Sequence, residues 1–267
     1  MSESTAVVHI NVDPPVFLKR LYSVWFRHFR VYTKSLFSNG FPPFVEPLIF
    51  LAGIGLGLGR YVGMIEGVSY IMFLASGIIV PPAMFTSSFE CTFGTFIRLE
   101  FDKVYDGMVS ASLTVRDIFI GEMLFAGTKA CFFSGAVLSV VACFGLIQSP
   151  MAIFTPLIGF LTGLMFAALA LFITSFVRNI NQFNFFFTGL MTPMFFFSGI
   201  VFPLESLPQY AQYIAALFPL THAVALVRAF CFNRLEPALL LNLLYMIIFI
   251  AVFGALAIKR LTLRVID

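Results

Sequence analysis

Charge is what this chain has least of. Asp, Glu, Lys and Arg supply 11% of its 267 residues while hydrophobic residues supply 60%; a soluble domain carries about 25% charged residues. That deficit excludes an ordinary water-soluble fold. The net charge of +3 is too small to suggest a nucleic-acid partner. No G-x-x-x-x-G-K-[ST] segment is present, so no phosphate-cradling loop belongs to this chain. H-E-x-x-H and G-x-S-x-G are missing too, and the three histidines, His9, His28 and His222, stand far apart in sequence, which argues against a metal site or a nucleophile elbow. Cys91, Cys131, Cys143 and Cys231 show no C-x-x-C spacing. Three of them fall in apolar segments and read as small core hydrophobes. The first 40 residues are too polar for a cleavable signal peptide.

Apolar runs fill most of what remains. Mean hydropathy is +0.98. Stretches near 41–60, 68–92, 114–146, 151–177, 183–202 and 236–258 approach or exceed the roughly 20 residues that cross a bilayer. In hydrocarbon the backbone has no partner but itself, which makes such runs helical. The fold class expected is an all-α integral membrane protein with six transmembrane helices over 41–267, preceded by a tail and an amphipathic helix within 1–40. The tight Gln148-Ser149-Pro150 connection makes spans three and four an antiparallel hairpin.

Cations set the orientation. Lys19, Arg20, Arg27, Arg30, Lys34, Arg98, Lys103, Arg116, Arg178, Lys259, Arg260 and Arg264 fall on the side of both termini, and only Arg60, Arg228 and Arg234 on the other. The positive-inside rule puts both termini in the cytoplasm of a multi-pass inner-membrane protein. Over 16–38, Leu18, Leu21, Tyr22, Trp25, Phe29, Tyr32 and Leu36 share one helical face and Arg20, Arg27, Arg30 and Lys34 the other. This reads as a helix lying in the membrane interface, with contact to a cytoplasmic partner as the open alternative.

Ionisable residues inside a membrane are functional candidates by default. Glu46, Glu90 and Glu122 fall near cytoplasmic span ends, where interfacial pairing competes with a functional role. Lys129, one heptad beyond Glu122 and on its helix face, has three readings: pairing with a carboxylate, snorkelling, or facing a polar path. Pro81-Pro82 marks a kink or a hinge, with Thr86, Ser87 and Ser88 at hand for freed carbonyls. Gly53, Gly55, Gly57 and Gly59, like Gly159, Gly163 and Ala167, read as close helix packing. Phe185-Phe186-Phe187 and Phe195-Phe196-Phe197 face lipid or neighbouring helices, or line a path for an amphipathic substrate.

Two non-spanning regions are unusual. The link from Phe96 to Asp117 alternates charge through Arg98, Glu100, Asp102, Lys103, Tyr105, Asp106 and Arg116, more than a simple turn requires, and fits a docking element for a cytoplasmic protein. The external segment from Ser198 to Arg228 is too apolar for a soluble loop, and Pro203, Pro208 and Pro219 forbid one continuous helix. Two short helices dipping back into the outer leaflet satisfy both facts.

Met191-Thr192-Pro193-Met194, Ser198-Gly199, Phe202-Pro203, Leu207-Pro208 and Pro219-Leu220-Thr221 resemble the Pro-rich pattern between the fifth and sixth spans of ABC-2 type exporter permeases. Tyr105-Asp106 through Leu113-Thr114-Val115-Arg116-Asp117 resembles that family's coupling-helix region. The likeness covers nearly the whole chain and is greatest to nodulation-factor exporter permeases, which move lipo-oligosaccharides. One departure is Ala111-Ser112-Leu113, where the family has a small residue, proline and leucine.

The resemblance implies the membrane subunit of an ATP-binding-cassette exporter for an amphipathic or glycan-bearing substrate. Two copies would form the path and two separate ATPase subunits would hold ATP and Mg, with no cofactor in this chain. The amphipathic helix would be the connecting helix and the external segment the re-entrant helices. Phe101 to Val109 would transmit closure of the ATPases, with Arg98, Glu100, Lys103, Tyr105 and Asp106 as coupling residues; Glu90, Glu122 and Lys129 are possible pathway groups. The rival readings are an ATP-independent transporter or channel relaying ions through Glu122 and Lys129, and a membrane-embedded transferase, for which no acid, base or ligand cluster is visible.

Overall fold

The computed structural model describes residues 16–35, 40–65, 67–111 and 113–266. The tail with His9, the end of the expected amphipathic helix with Leu36, and Ser112 lie outside the described residues. Helix α1 (Phe17–Thr33) precedes α2 (Pro42–Gly59) and α3 (Tyr70–Phe101). A two-residue antiparallel hairpin, β1 (Met64–Ile65) and β2 (Val68–Ser69), joins α2 to α3. Then come the short α4 (Val104–Ser110), α5 (Val115–Cys143), and α6 (Pro150–Thr174). Three helical pieces, Phe183–Phe186, Phe187–Met191 and Thr192–Phe197, run on as α7. The chain ends in α8 (Gln209–Leu217), α9 (Pro219–Phe232) and α10 (Leu239–Ile266).

Among the described residues, five helices are long and apolar enough to cross a membrane: α2, α3, α5, α6 and α10. The expected span at 183–202 is not one of them. Its helix stops at Phe197, and fifteen residues at 1.5 Å each reach only about 22 Å of a roughly 30 Å hydrocarbon core. Gly199, at φ +79°, turns the chain there. The pair α8 and α9 is together long and apolar enough to cross but is bent by 90°. Pro208 directly precedes α8 and Pro219 opens α9, since proline suits a first helical turn but not an interior. Two further boundaries move. Helix α3 carries on to Phe101, beyond the expected 92, and α10 carries Lys259, Arg260 and Arg264 to its end, beyond the expected 258.

The core lies around α3, 78% of whose apolar window is buried against 11% for α10, so α10 is the peripheral helix. Phe73, Leu74, Ile79 and Met84 of α3 pack with Met165 and Phe166 of α6 and Leu220 and Val224 of α9. The helix breaks before Pro81-Pro82, where Ala83 N–H turns back to Val80 O at 3.0 Å. The carbonyl of Ile79 is taken up by Ser134 Oγ of α5, which donates at 3.1 Å. Of the hydroxyls expected to do so, Ser87 back-bonds Ala83 and Ser88 Oγ turns to Met191 Sδ at 3.9 Å. A tie from another span fixes this break in place.

Small residues set the closest approaches. A Cβ on Gly163 would stand 2.4 Å from Ala130 Cβ, and one on Gly159 would stand 2.3 Å from Ser134 Oγ, so α5 and α6 touch backbone to backbone. In α2, Gly55 faces Ile71 at 3.3 Å, but Gly53 and Gly57 meet nothing within 4 Å among the described residues; for these two the packing expectation is corrected within this chain. Gly163→Val is therefore expected to cost about 1–3 kcal/mol or more through overpacking, with Gly57→Ala near neutral. Thermal unfolding in detergent compares the two, and equal midpoints would refute this packing account.

Candidate functional site

Helix α5 starts at a capping box. Thr114 Oγ1 accepts from Asp117 N–H at 3.2 Å, and the Asp117 carboxylate accepts from Thr114 N–H at 3.1 Å. The same carboxylate lies 3.3 Å from Arg20 Nε, which draws α1 onto α5. Gly121 lets the two helices close, since a Cβ there would stand 2.6 Å from Val24. Trp25 Nε1 donates to Thr128 Oγ1 at 3.0 Å. The face of α1 turned to the protein is thus Leu21, Val24 and His28, rotated from the expected stripe. Leu18, Tyr22 and Phe29 remain exposed, so α1 carries one apolar face for the protein and another for its surroundings.

That docking completes a buried ionic cluster. Arg98 Nη1 reaches Glu90 Oε1 at 2.8 Å and Arg98 Nε reaches Glu122 Oε1 at 2.9 Å. Lys129 Nζ takes the other oxygen of Glu90 at 3.1 Å and sits 5.1 Å from the Tyr32 ring centre. Glu122 is fully buried and also accepts from Thr95 Oγ1 at 3.0 Å and from the Tyr105 hydroxyl. Two carboxylates answer two cations, and the helical hydroxyls fill the remaining acceptor sites. A buried charge set is tolerable only when paired and hydrogen-bonded in this way. Four elements meet here: α1 through His28 and Tyr32, α3, α4 through Tyr105, and α5.

The cluster relocates two expected coupling residues. Because α3 extends to Phe101, Arg98 lies on its inward face, and Tyr105 is 1% exposed. Both are therefore internal ties and not exposed groups, which removes Tyr105 as a direct contact for a cytoplasmic protein. Glu100 is half-buried and pairs with Arg264 of α10 at 2.7 Å, while Lys103 and Asp106 are exposed. Lys103 adopts φ +51°, the left-handed turn that separates α3 from α4. Lys129, with three readings in the sequence, pairs with a carboxylate. Glu122 and Lys129 are each neutralised within the cluster, which leaves an ion relay through them without support.

Sequence reasoning passed over His28, the histidine inside the cluster. It is 3% exposed, stacks on Phe125, and its Nε2 lies 3.6 Å from Glu122 Oε1 with no hydrogen-bond partner among the described residues. Burial, against the pull of Glu122 and aided by Arg98, lowers its pKa to about 4. A depressed base binds fewer protons folded than unfolded. Stability is therefore full above about pH 6.5 and falls as pH drops toward 4. From pH 7 to pH 5 the expected loss is on the order of 2 kcal/mol. His28→Gln should flatten thermal unfolding midpoints across that window, and an unchanged slope would count against this role. Burial beside Glu122 raises the Tyr105 phenol well above its ordinary range, so it stays a donor.

Beside the cluster, a cavity of about 600 Å³ opens between α1, α2, α3, α5 and α7. Its walls are aromatic and proline rings, among them Phe50, Pro82, Phe85, Phe89, Phe133 and Phe195, and its charged groups are Glu46 and Lys129. Glu46 is exposed and has no ion pair among the described residues. Of the two phenylalanine triplets, Phe195 lines this cavity, whereas Phe185 is 82% exposed. The volume falls in the range of small-molecule sites. At the far end Pro203 precedes a short turn, and Arg228 of α9 lies over the Phe73 ring at 3.7 Å and donates to Gly199 O at 2.8 Å.

Residues 19–232 match the family described as ABC-2 type transporter. The chain is 32% identical over 245 residues to Nodulation protein J of Sinorhizobium fredii (strain NBRC 101917 / NGR234), covering 92% of this chain and 94% of that one. Nodulation protein J of Rhizobium leguminosarum bv. viciae is 36% identical over 206 residues, covering 77% and 80%. The Inner membrane transport permease YadH of Escherichia coli (strain K12) is 20% identical over 206 residues, with 77% and 80% covered.

Proposed function

The chain belongs to the ABC-2 type transporter family as its multi-pass transmembrane permease, and from that premise we propose that it exports an amphipathic, glycan-bearing molecule across the inner membrane, driven by two separate ATPase subunits. The single observation that carries the coupling is the tie from α4 to Glu122. Tyr105 and Arg98 anchor a short inner-rim helix to α3, α5 and α1 at once. A push on α4 is thereby delivered to the helices that border the cavity.

The outer face of α4 and the turn that leads into it present Asp102, Lys103 and Asp106 beside Phe101 and Val109, which are 66% and 41% exposed. Such a charged and apolar mixture suits a cytoplasmic protein surface. In this reading α7 makes the sixth crossing together with the apolar residues 198–202, so both termini are cytoplasmic, the exposed apolar side of α1 lies in the interface, and α8 with α9 form a re-entrant hairpin in the outer leaflet. Lipo-oligosaccharide is the favoured substrate class, supported by the Nodulation protein J relatives and by aromatic cavity walls that take acyl chains and stack on sugars. A second copy completes the path. Alternation between inward and outward states then follows from ATP binding better to the closed partner pair.

The chain co-expressed with its ATPase is expected to co-purify with it and to move substrate in sealed vesicles only with hydrolysable ATP. Transport that persists without ATP and collapses with the proton gradient would reject this function. Lys103→Ala with Asp106→Ala should cut ATPase retention about tenfold or more in the same pull-down.

A further inference from the structure

We propose that the groove between α5, α6 and α10 is a binding site for an anionic glycerophospholipid of the cytoplasmic leaflet. The groove encloses about 590 Å³ and is floored by Met123 and Gly254 and walled by Leu124, Leu164, Ile250 and Ala255. At one end stand Arg116 and Lys259. Both are exposed, and neither has an ion pair among the described residues. Among the described residues no carboxylate lines the groove. One end therefore calls for an anion and the remainder for hydrocarbon.

The dimensions select a single leaflet. From Lys259 to Ile250 is nine residues along α10, about 14 Å at 1.5 Å per residue, close to half of a roughly 30 Å hydrocarbon core. Arg116 to Leu124 spans about 12 Å on α5 by the same rise. A phosphate held by the two cations leaves one acyl chain lying along the groove without crossing the midplane. Basic pockets between spans on the cytoplasmic side are where acidic headgroups settle. Gly254 keeps the floor low: a Cβ there would already touch Met123 at 3.5 Å.

A second copy of the chain is the poorer occupant. Helix α10 has no Asp or Glu from Leu239 to Ile266, and the carboxylates of α5, Asp117 and Glu122, are 1% and 0% exposed. Neither helix offers the negative group that Arg116 and Lys259 lack. The low burial of α10, 11% of its apolar window, matches a helix facing lipid.

The full-length chain in neutral detergent is titrated with phosphatidylglycerol, with phosphatidylcholine of the same acyl chains, and with glycerol 3-phosphate. Bound lipid is counted by native mass spectrometry. Selective retention of phosphatidylglycerol is expected, falling roughly thirty-fold in Arg116→Gln/Lys259→Gln from the loss of two near-surface cations. Ala255→Trp, which fills the groove and keeps both charges, should also lose it. The control Arg178→Gln/Lys34→Gln, two exposed cations outside the groove, should not. Equal retention of phosphatidylcholine, equal competition by glycerol 3-phosphate, or undiminished binding in the double variant would each overturn the assignment. None of these outcomes depends on the ATPase or on the exported substrate.

Discussion

Glu122→Ala is expected to lower the stability of the permease by about 3–5 kcal/mol, the cost of breaking a buried ion pair by removing one partner, and to abolish transport with it. Glu122 is fully buried, 2.9 Å from Arg98 Nε, and accepts from Thr95 and Tyr105. Without it, Arg98 and Lys129 share Glu90 as their one carboxylate. A cation is then left uncompensated in a site that water reaches poorly, and two hydroxyls lose their acceptor. Glu122→Gln keeps one acceptor oxygen for either Tyr105 or Thr95, puts an NH2 donor in place of the other, and leaves the same unbalanced charge, so it should fall between alanine and wild type. Removing both ends of the pair restores neutrality. Glu122→Ala/Arg98→Met is therefore expected to recover stability over Glu122→Ala alone, a coupling of about 0.5–3 kcal/mol in a double-mutant cycle. Thermal unfolding of the four proteins in one detergent measures it. An alanine variant within about 0.5 kcal/mol of wild type would remove the cluster from any structural role.

Much of this was legible one residue at a time. The five long helices follow from apolar length, the start of α5 from Thr114, and the α5–α6 packing from Gly159 and Gly163. The Pro-rich segment after α7 reads as two helices, and the structure bends them by 90°. Other features hid for physical reasons. Arg98 lies in a charge-rich stretch that looks like a loop. Only its pairing with Glu90 and Glu122 makes it tolerable as the last turns of a buried helix. Tyr105 sits among Lys103, Asp102 and Asp106, and α4 turns it inward while they face out. His28 shares its sequence neighbourhood with Arg27 and Arg30, so its burial depends on a contact, Val24 against Gly121, that spans about a hundred residues. Periodicity locates faces on a helix; it does not say which of two apolar faces a neighbour will cover. Helix α1 has two, and the narrower one, Leu21, Val24 and His28, meets the protein.

Tyr105→Phe is expected to uncouple the motor without undocking it. The substitution keeps the ring that packs edge-on to Phe119 at 5.4 Å and removes only the hydroxyl that donates to Glu122 and accepts from Arg98 Nε at 3.3 Å. A hydrogen bond to a buried charge contributes about 1.5–3 kcal/mol. If that energy holds α4 in register with α5 during the closing movement, its loss lowers transport about ten- to hundred-fold, at about 1.4 kcal/mol per tenfold. Because Tyr105 is 1% exposed, the ATPase has no direct contact to lose. Retention of the partner and its basal ATP hydrolysis should stay within about twofold of wild type. Lys103→Ala/Asp106→Ala should do the reverse, losing the partner while the cluster stays intact. The discriminating measurement is the ratio of substrate moved to ATP hydrolysed in vesicles, with pull-down of the ATPase run alongside. A fall in that ratio with unchanged pull-down assigns Tyr105 to the transmission of force. Parallel losses of pull-down, hydrolysis and transport would make it a docking or folding residue, and unchanged transport would release α4 from the mechanism.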